Sequence, residues 1–375
     1  MAAAVRCIIV LLLVAASCKA ADAPATGSGP DPVWHLGEPV IDSHVHIYPN
    51  MQGLSNALEV FRRTGIGRFV AKSAGVVGTP KYNASLAMQR IVGDRMRLFA
   101  NLDWEDVDGP GWTERQLASL EQMKKDGIIG IKVFKNVGLS TRLRDGTLLK
   151  VDDPRLAPVF DACARLGLIF AWHVADPVAF FKAPTPDNER YDELKIAKSW
   201  SFYGQDFPSF QSLMDAMVRV IDRHPKTTFL LIHLGCNAED LDFVDRLLEG
   251  HPNVHTDVSA RVPEFGRHPA DKVKAFFVKH QDRILFGSDF ISDGDGSMQL
   301  GSVWHVPDVE PGMEDAVEFF TRHWRYFETD AKQIEHPTPI QGRWKVDAIG
   351  LPRDVLKKFY VTNAEKLLFG QRPAR

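Results

Sequence analysis

Cysteine is scarce in this chain: four residues in 375, and two of them, Cys7 and Cys18, stand at the extreme N-terminus. Cys163 and Cys236 are too few to make a disulfide framework, and they need not pair. Neither sign of charge dominates, with 45 basic against 48 acidic side chains and a net charge of −3. A nucleic-acid-binding protein carries a dense basic patch, and none is present; charge gives no support to a membrane-surface partner either. No apolar run reaches the length that crosses a bilayer. Residues 7–16 are apolar, follow Arg6 and lead into Ser17-Cys18-Lys19-Ala20-Ala21, the layout of a cleaved secretory signal. We therefore expect residues 1–20 to be a signal peptide and the protein to be exported, periplasmic or secreted. Lipid anchoring at Cys18 is disfavoured because Val-Ala-Ala-Ser-Cys matches a lipobox poorly. Residues 21–37, rich in Pro, Gly and Ser, read as a flexible leader, which leaves 38–375 as the folded domain. Asn83-Ala84-Ser85 fits the glycosylation acceptor pattern, which matters only in a eukaryotic secretory pathway.

What the chain does have begins at Val40-Ile41-Asp42-Ser43-His44-Val45-His46-Ile47. Alternation with period two would place Asp42, His44 and His46 on one face of a strand. Two neighbouring imidazoles on one face can share a metal ion. Further apolar, β-branched runs follow at 68–72, 97–102, 128–134, 168–173, 228–233, 253–258 and 283–288. Helical patterns fall near 55–64, 81–92, 113–125, 154–166, 208–223, 238–249, 270–280 and 353–368. Pro154 suits a first helical turn, while Gly65, Gly127 and Gly167 suit left-handed helix stops. Eight strand–helix repeats with near-continuously apolar strands predict an α/β fold, a closed (β/α)8 TIM barrel. The alternative, an open doubly wound sheet, lacks the Gly-rich phosphate turn after its first strand. Two connections are long, 174–207 after strand five and 290–352 after strand eight. Both carry aromatics (Phe180, Phe181, Tyr191, Trp200, Phe202 and Tyr203; then Trp304, Phe319, Phe320, Trp324, Tyr326 and Phe327), expected to act as lids or pocket walls.

Strand five ends in His173, strand six in His233 and strand eight in Gly287-Ser288-Asp289. In a barrel these ends converge on one mouth, where the active site lies. Together with Asp42-x-His44-x-His46, Trp172-His173, Ile232-His233-x-Gly235, Phe286-Gly287-Ser288-Asp289 and Tyr360-Val-Thr-Asn363-Ala364-Glu-Lys-Leu-Leu368, the chain resembles the amidohydrolase superfamily over about residues 39–370. The branch it is similar to includes aminocarboxymuconate-semialdehyde decarboxylase, related aromatic-acid decarboxylases and lactonases. The resemblance implies that His44, His46, His173 and Asp289 hold one divalent metal ion, most often Zn2+. It places His233 beside the metal water, moving a proton or polarising substrate. Three imidazoles, a carboxylate and a water also suit zinc or a neighbouring transition metal on chemical grounds. Such an ion acidifies its water and polarises a carbonyl, and Asp289 could take the proton as general base.

Three positions depart from the pattern: Cys236 stands where a second glycine is usual, Phe290 where a proline is, and Lys132-Val-Phe134-Lys135-Asn136 where Lys-x-His-Pro is. Binuclear members of the superfamily bridge two metals with a carboxylated strand-four lysine. Lys132 and Lys135 are the candidates for that role or for binding an anion; a single metal is expected. Arg142, Arg261, His255 and Arg322 are candidates for gripping a substrate carboxylate. The expectation is an exported metal-dependent hydrolase of an ester, lactone or amide, with His233 and Asp289 catalytic. Its small-molecule substrate is carboxylate-bearing or aromatic, and the apolar second insertion would allow a homodimer. The alternatives are a nonoxidative decarboxylase and a metal-bearing binding protein without activity.

Overall fold

The computed structural model describes residues 37–302 and 310–370. The expected signal and nearly all of the leader, with Cys18, lie outside the described residues, as does Trp304. Seven parallel strands pair in sequence order: β1 (Val40–Ile47), β2 (Ile66–Ala71), β3 (Met96–Ala100), β4 (Gly130–Val133), β5 (Ile169–Trp172), β6 (Phe229–Leu231) and β7 (Val254–Asp257). The eighth strand is split. Its first piece, β8 (Ile284–Leu285), pairs with β7, and its second, β9 (Phe290–Ser292), pairs in parallel with β1. Between the pieces, Ser43 N–H donates to Phe286 O and Asp289 N–H donates to His44 O, both at 2.9 Å. The ring thus closes on its first strand, as a (β/α)8 barrel requires. Strand β10 (Met298–Leu300) adds to β9 antiparallel.

The strands form because their residues are apolar on both faces and are covered on both. β1 is buried along nearly its whole length, and all of β3 and β4 is buried. Gly130 is there because nothing larger fits: a Cβ would lie 2.3 Å from Ile169 O and 2.5 Å from the Phe99 ring. Helices α1 (Met51–Thr64), α2 (Pro80–Val92), α3 (Trp112–Lys125), α4 (Ala157–Leu166), α5 (Phe210–Arg223), α6 (Leu241–Gly250) and α7 (Ala270–Lys279) follow their strands. α1 starts where Asn50 accepts from Gly53 N–H and stops at Gly65, left-handed at φ 78°. Pro154 opens a 3₁₀ turn ahead of α4, and Gly167 (φ 64°) ends it. α5 shows the usual stripe, burying Leu213, Met214, Met217, Val220 and Ile221.

The second insertion differs from expectation. It holds a sixteen-residue helix, α8 (Met313–Glu328), and a small hairpin of β11 (Ile334–Glu335) and β12 (Lys345–Val346). Phe319, Phe320, Trp324, Tyr326 and Phe327 are buried in the core rather than forming pocket walls. Spacings of three, four and seven residues set them along one side of α8, so Trp324 meets Phe286 (ring centroids 4.9 Å) and Phe327 meets Phe277 (5.7 Å). The first insertion matches its expectation in part. Phe180 and Trp200 line the cleft at the barrel mouth, Phe181 and Phe202 pack on each other, and Tyr203 is exposed. Cys163 and Cys236 are buried free thiols. No helix among the described residues is long and apolar enough to cross a membrane.

Candidate active site

The strand ends meet as the sequence predicts. His44 and His46 come from β1, His173 directly follows β5, His233 follows β6 and Asp289 lies in the break of the eighth strand. Two of these residues sit in left-handed backbone: His233 (φ 59°), which opens a left-handed run through Leu234, Gly235 and Cys236, and Asp289 (φ 64°). That conformation costs a non-glycine residue about 1–2 kcal/mol, and such strain is characteristic of functional sites. Here it turns each side chain off its strand into the mouth.

His44 Nε2 and His46 Nε2 are 3.3 Å apart, and each is 3.3 Å from Asp289 Oδ1. His173 stands back from this trio: no ring nitrogen of it joins the cluster within 4.8 Å. Its ring packs on His233 (centroids 4.6 Å), and His233 in turn stacks on His44 (5.3 Å). Among the described residues the buried His173 Nε2 has no hydrogen-bond partner, and the Asp176 Oδ1 beside it is 3.5 Å away.

Behind the histidines is Asp257, at the end of β7. Its Oδ2 accepts from His44 Nδ1 at 3.0 Å, and its Oδ1 accepts from His233 N–H (3.0 Å) and from the Ser259 hydroxyl (2.7 Å). Burial would raise this carboxyl, but the His44, Lys72 and Ser259 interactions outweigh it and hold it well below the usual range. With Nδ1–H committed to Asp257, neutral His44 presents a lone pair at Nε2. Burial favours that neutral ring, taking the His44 pKa down to about 4. Asp289 is likewise an anion: burial raises its pKa, but His44, His46 and His233 together hold it well below the ordinary value.

A lone pair therefore faces a carboxylate oxygen at 3.3 Å, two acceptors with no proton between them. A cation at their centre resolves the clash. Ligand atoms of a tetrahedral site with bonds of about 2.0–2.1 Å stand about 3.3–3.4 Å apart, the spacing observed. His173 Nε2 adds a further buried nitrogen that, among the described residues, makes no hydrogen bond. The residues present fit a divalent ion.

Asp42 does not join this set. It turns back onto the backbone, accepting from Ser288 Oγ (2.6 Å), Ser288 N–H (3.1 Å) and His44 N–H (3.0 Å). It ties the first strand to the turn that carries Asp289. Burial raises its pKa to about 7 against those hydrogen bonds.

The two strand-four lysines part company. Lys135 pairs with Asp176 at 2.5 Å and lies over the Trp200 ring, whereas Lys132 is buried, and burial lowers its pKa to about 8 against the pull of Asp289 and Asp257. Of the four candidate anion grips, only Arg261 lines the cleft. Arg142 bonds Gly146 O in an exposed turn, Arg322 pairs with Glu318 on α8, and His255 sits within β7 with its Nδ1 unpartnered among the described residues.

Sequence reasoning missed Asp257 and Ser259, although an acid closing the seventh strand was a visible signal. It also missed Ser73, whose hydroxyl holds His46 Nδ1 at 3.0 Å, and the buried Arg190, which pairs with Glu193 at 2.8 Å and with Glu264. Nothing in their spacing marks these.

A family model described as amidohydrolase matches residues 41–370. The chain belongs to the amidohydrolase family. It is thereby a member of a family of enzymes that use divalent metals. No curated protein matches the chain. Solved structures similar to it include an amidohydrolase from Burkholderia multivorans with bound Zn (14% identity, 88% of this chain and 98% of that one, TM-score 0.46). A dihydroorotase from Campylobacter jejuni shares 13% identity (89% and 84% covered, TM-score 0.48). A 2,6-dihydroxybenzoate decarboxylase complexed with 2,6-dihydroxybenzoate shares 16% (88% and 99%, TM-score 0.44). Likeness at that level bears on neither reaction nor substrate.

Proposed function

We propose that this amidohydrolase is an exported hydrolase that uses one divalent ion, zinc above all, to cleave an ester, lactone or amide. His44, His46, His173 and Asp289 would hold the ion, His173 by closing on the trio. The observation that carries this is the pair of facing acceptors, His44 Nε2 and Asp289 Oδ1 at 3.3 Å, with His44 Nδ1 held by Asp257. When bound, the ion supplies an acidified water and a polarised carbonyl. Asp289, an anion at the cluster, is placed to take a proton. His233 Nδ1 donates to Ser259 O at 2.7 Å, which fixes the tautomer and leaves Nε2 as an acceptor in the cleft. That ring can receive a proton and pass it to the leaving group.

Elemental analysis of the purified protein beside a His44→Ala/His46→Ala variant tests the reading. About one ion per chain, absent from the variant, is expected. Two ions would restore Lys132 or Lys135 as a carboxylated bridge, and no ion in the wild type would sink the proposal.

A further inference from the structure

The cleft over the histidines encloses about 440 Å³ and reaches His173, His233 and Asp289 at its base. Most of the polar side chains around it have partners. Lys135 pairs with Asp176, and Glu193 accepts from Arg190 at 2.8 Å and from the Ser302 hydroxyl at 2.5 Å. Gln341 is different. It lines the cleft from a 3₁₀ turn (Pro339–Gln341) between β11 and β12, and it is only 2% exposed. Its Nε2 donates to Gly301 O at 2.9 Å. With the amide turned the other way its oxygen would face that carbonyl oxygen, so this bond sets the orientation. Oε1 is the end left over. Among the described residues it is the one buried side-chain oxygen lining the cleft that accepts no hydrogen bond. Thr338, at the start of the same turn, does not cap it, for its own buried Oγ1 makes no hydrogen bond among the described residues either.

The mount is stiff. Gln341 N–H donates to Thr338 O at 3.0 Å, and Pro339 restricts the turn between them. Gly301 stands in left-handed backbone (φ 74°), and a Cβ there would lie 2.9 Å from Thr338 Oγ1, so the close approach of the two loops requires glycine. A buried acceptor without a donor is destabilising, and one held rigidly in a cleft wall is completed by what the cleft binds. A site of this kind rejects an analogue that lacks the donor, because its own polar group is then left unpaired. The amide oxygen is neutral, so it suits a neutral donor; a buried ammonium would call for a carboxylate. Pro177, Phe180, Trp200 and Ile291 supply apolar wall in the same cleft.

We propose that Gln341 selects substrates that carry a neutral hydrogen-bond donor, a hydroxyl or an N–H, on a flat or apolar body. The bond that is cleaved rests on the hydrolase reading above; the donor site does not.

Titration calorimetry of the metal-loaded protein with phenol and with fluorobenzene tests the donor site. The rings are alike in size, and only phenol donates. Fluorobenzene is the more apolar, so a cleft without the acceptor prefers it. The wild type should reverse that order and bind phenol about 10-fold or more tightly than fluorobenzene. Gln341→Met, similar in length but without the oxygen, should weaken phenol about 10- to 100-fold with metal content unchanged and fluorobenzene little affected. His44→Ala/His46→Ala should keep the wild-type order. Fluorobenzene bound as tightly as phenol, no phenol binding, or phenol affinity unaffected by Gln341→Met would overturn the proposal. So would a phenol preference that vanishes in His44→Ala/His46→Ala, since phenol would then sit on the ion. Should Gln341→Met fail to fold, the phenol–fluorobenzene contrast in the wild type and in His44→Ala/His46→Ala decides. A wild type without metal defeats the hydrolase reading and leaves that contrast to judge Gln341 on its own.

Discussion

Replacing Lys72 with methionine should make this protein more stable at neutral pH. Lys72 directly follows β2, is fully buried, and holds its ammonium 3.9 Å over the Phe99 ring with no hydrogen-bond partner among the described residues. Burial takes its pKa from the ordinary 10.5 down to about 7, against the pull of Asp257. A difference of that size separates the two protonation states by about 5 kcal/mol, an upper bound on what burying the charge costs. Methionine fills similar space without a charge, and replacing buried ions with apolar groups typically stabilises by about 1–4 kcal/mol. We expect about 1–3 kcal/mol here. The pH dependence has a definite sign. Between about pH 7 and 10.5 the unfolded chain keeps a proton that the folded chain has shed. Wild-type stability should therefore climb as pH rises through that window. Lys72→Met should flatten the climb, and its advantage should be largest near and below neutral pH. Urea unfolding of both metal-loaded proteins at about pH 6 and about pH 9 measures this. A variant less stable at both values, with a pH slope parallel to wild type, would refute the reasoning.

Two further substitutions probe the groups that support the site. Asp257→Asn should lower metal affinity about 10- to 100-fold by loosening His44, with circular dichroism unchanged; chelator competition reads it, and unaltered affinity would remove Asp257 from the design. Arg190→Met leaves Glu193 and Glu264 buried without their cation and should cost about 3–5 kcal/mol. Denaturant unfolding measures that loss, and limited proteolysis should show faster cutting in residues 182–207.

The barrel was legible because its strands are apolar on both faces, and that pattern survives without knowledge of partners. Pro154, Gly65 and Gly167 mark helix ends by local backbone chemistry, which sequence carries directly. His44, His46, His233 and Asp289 could be found because a barrel sends every strand end to one place. The helix α8 was hidden inside a stretch that reads as a loop. It begins at Gly312, whose φ and ψ are extended and which offers no side-chain cap, and its aromatics look like pocket furniture until a helical stripe collects them. Arg190 and Glu264 were illegible for a different reason: they are 74 residues apart and meet only because two loops fold over the same mouth. The setback of His173 from the trio also has no trace in sequence, since it depends on side-chain direction toward Asp176.

The eighth strand is broken where it should be most regular, and the break is bridged by Asp42 holding Ser288 across 246 residues of chain. Closure and ligand placement are therefore one event. A nascent chain that has emerged as far as α7 already owns His44, His46, His173 and His233, yet it lacks the carboxylate and the last seam of the ring. Contacts so distant in sequence form late. Under the metal reading, ion capture belongs to the final stage of maturation, when the C-terminal part of the chain is free to dock. A truncated product would present histidines in plenty and still hold no finished centre.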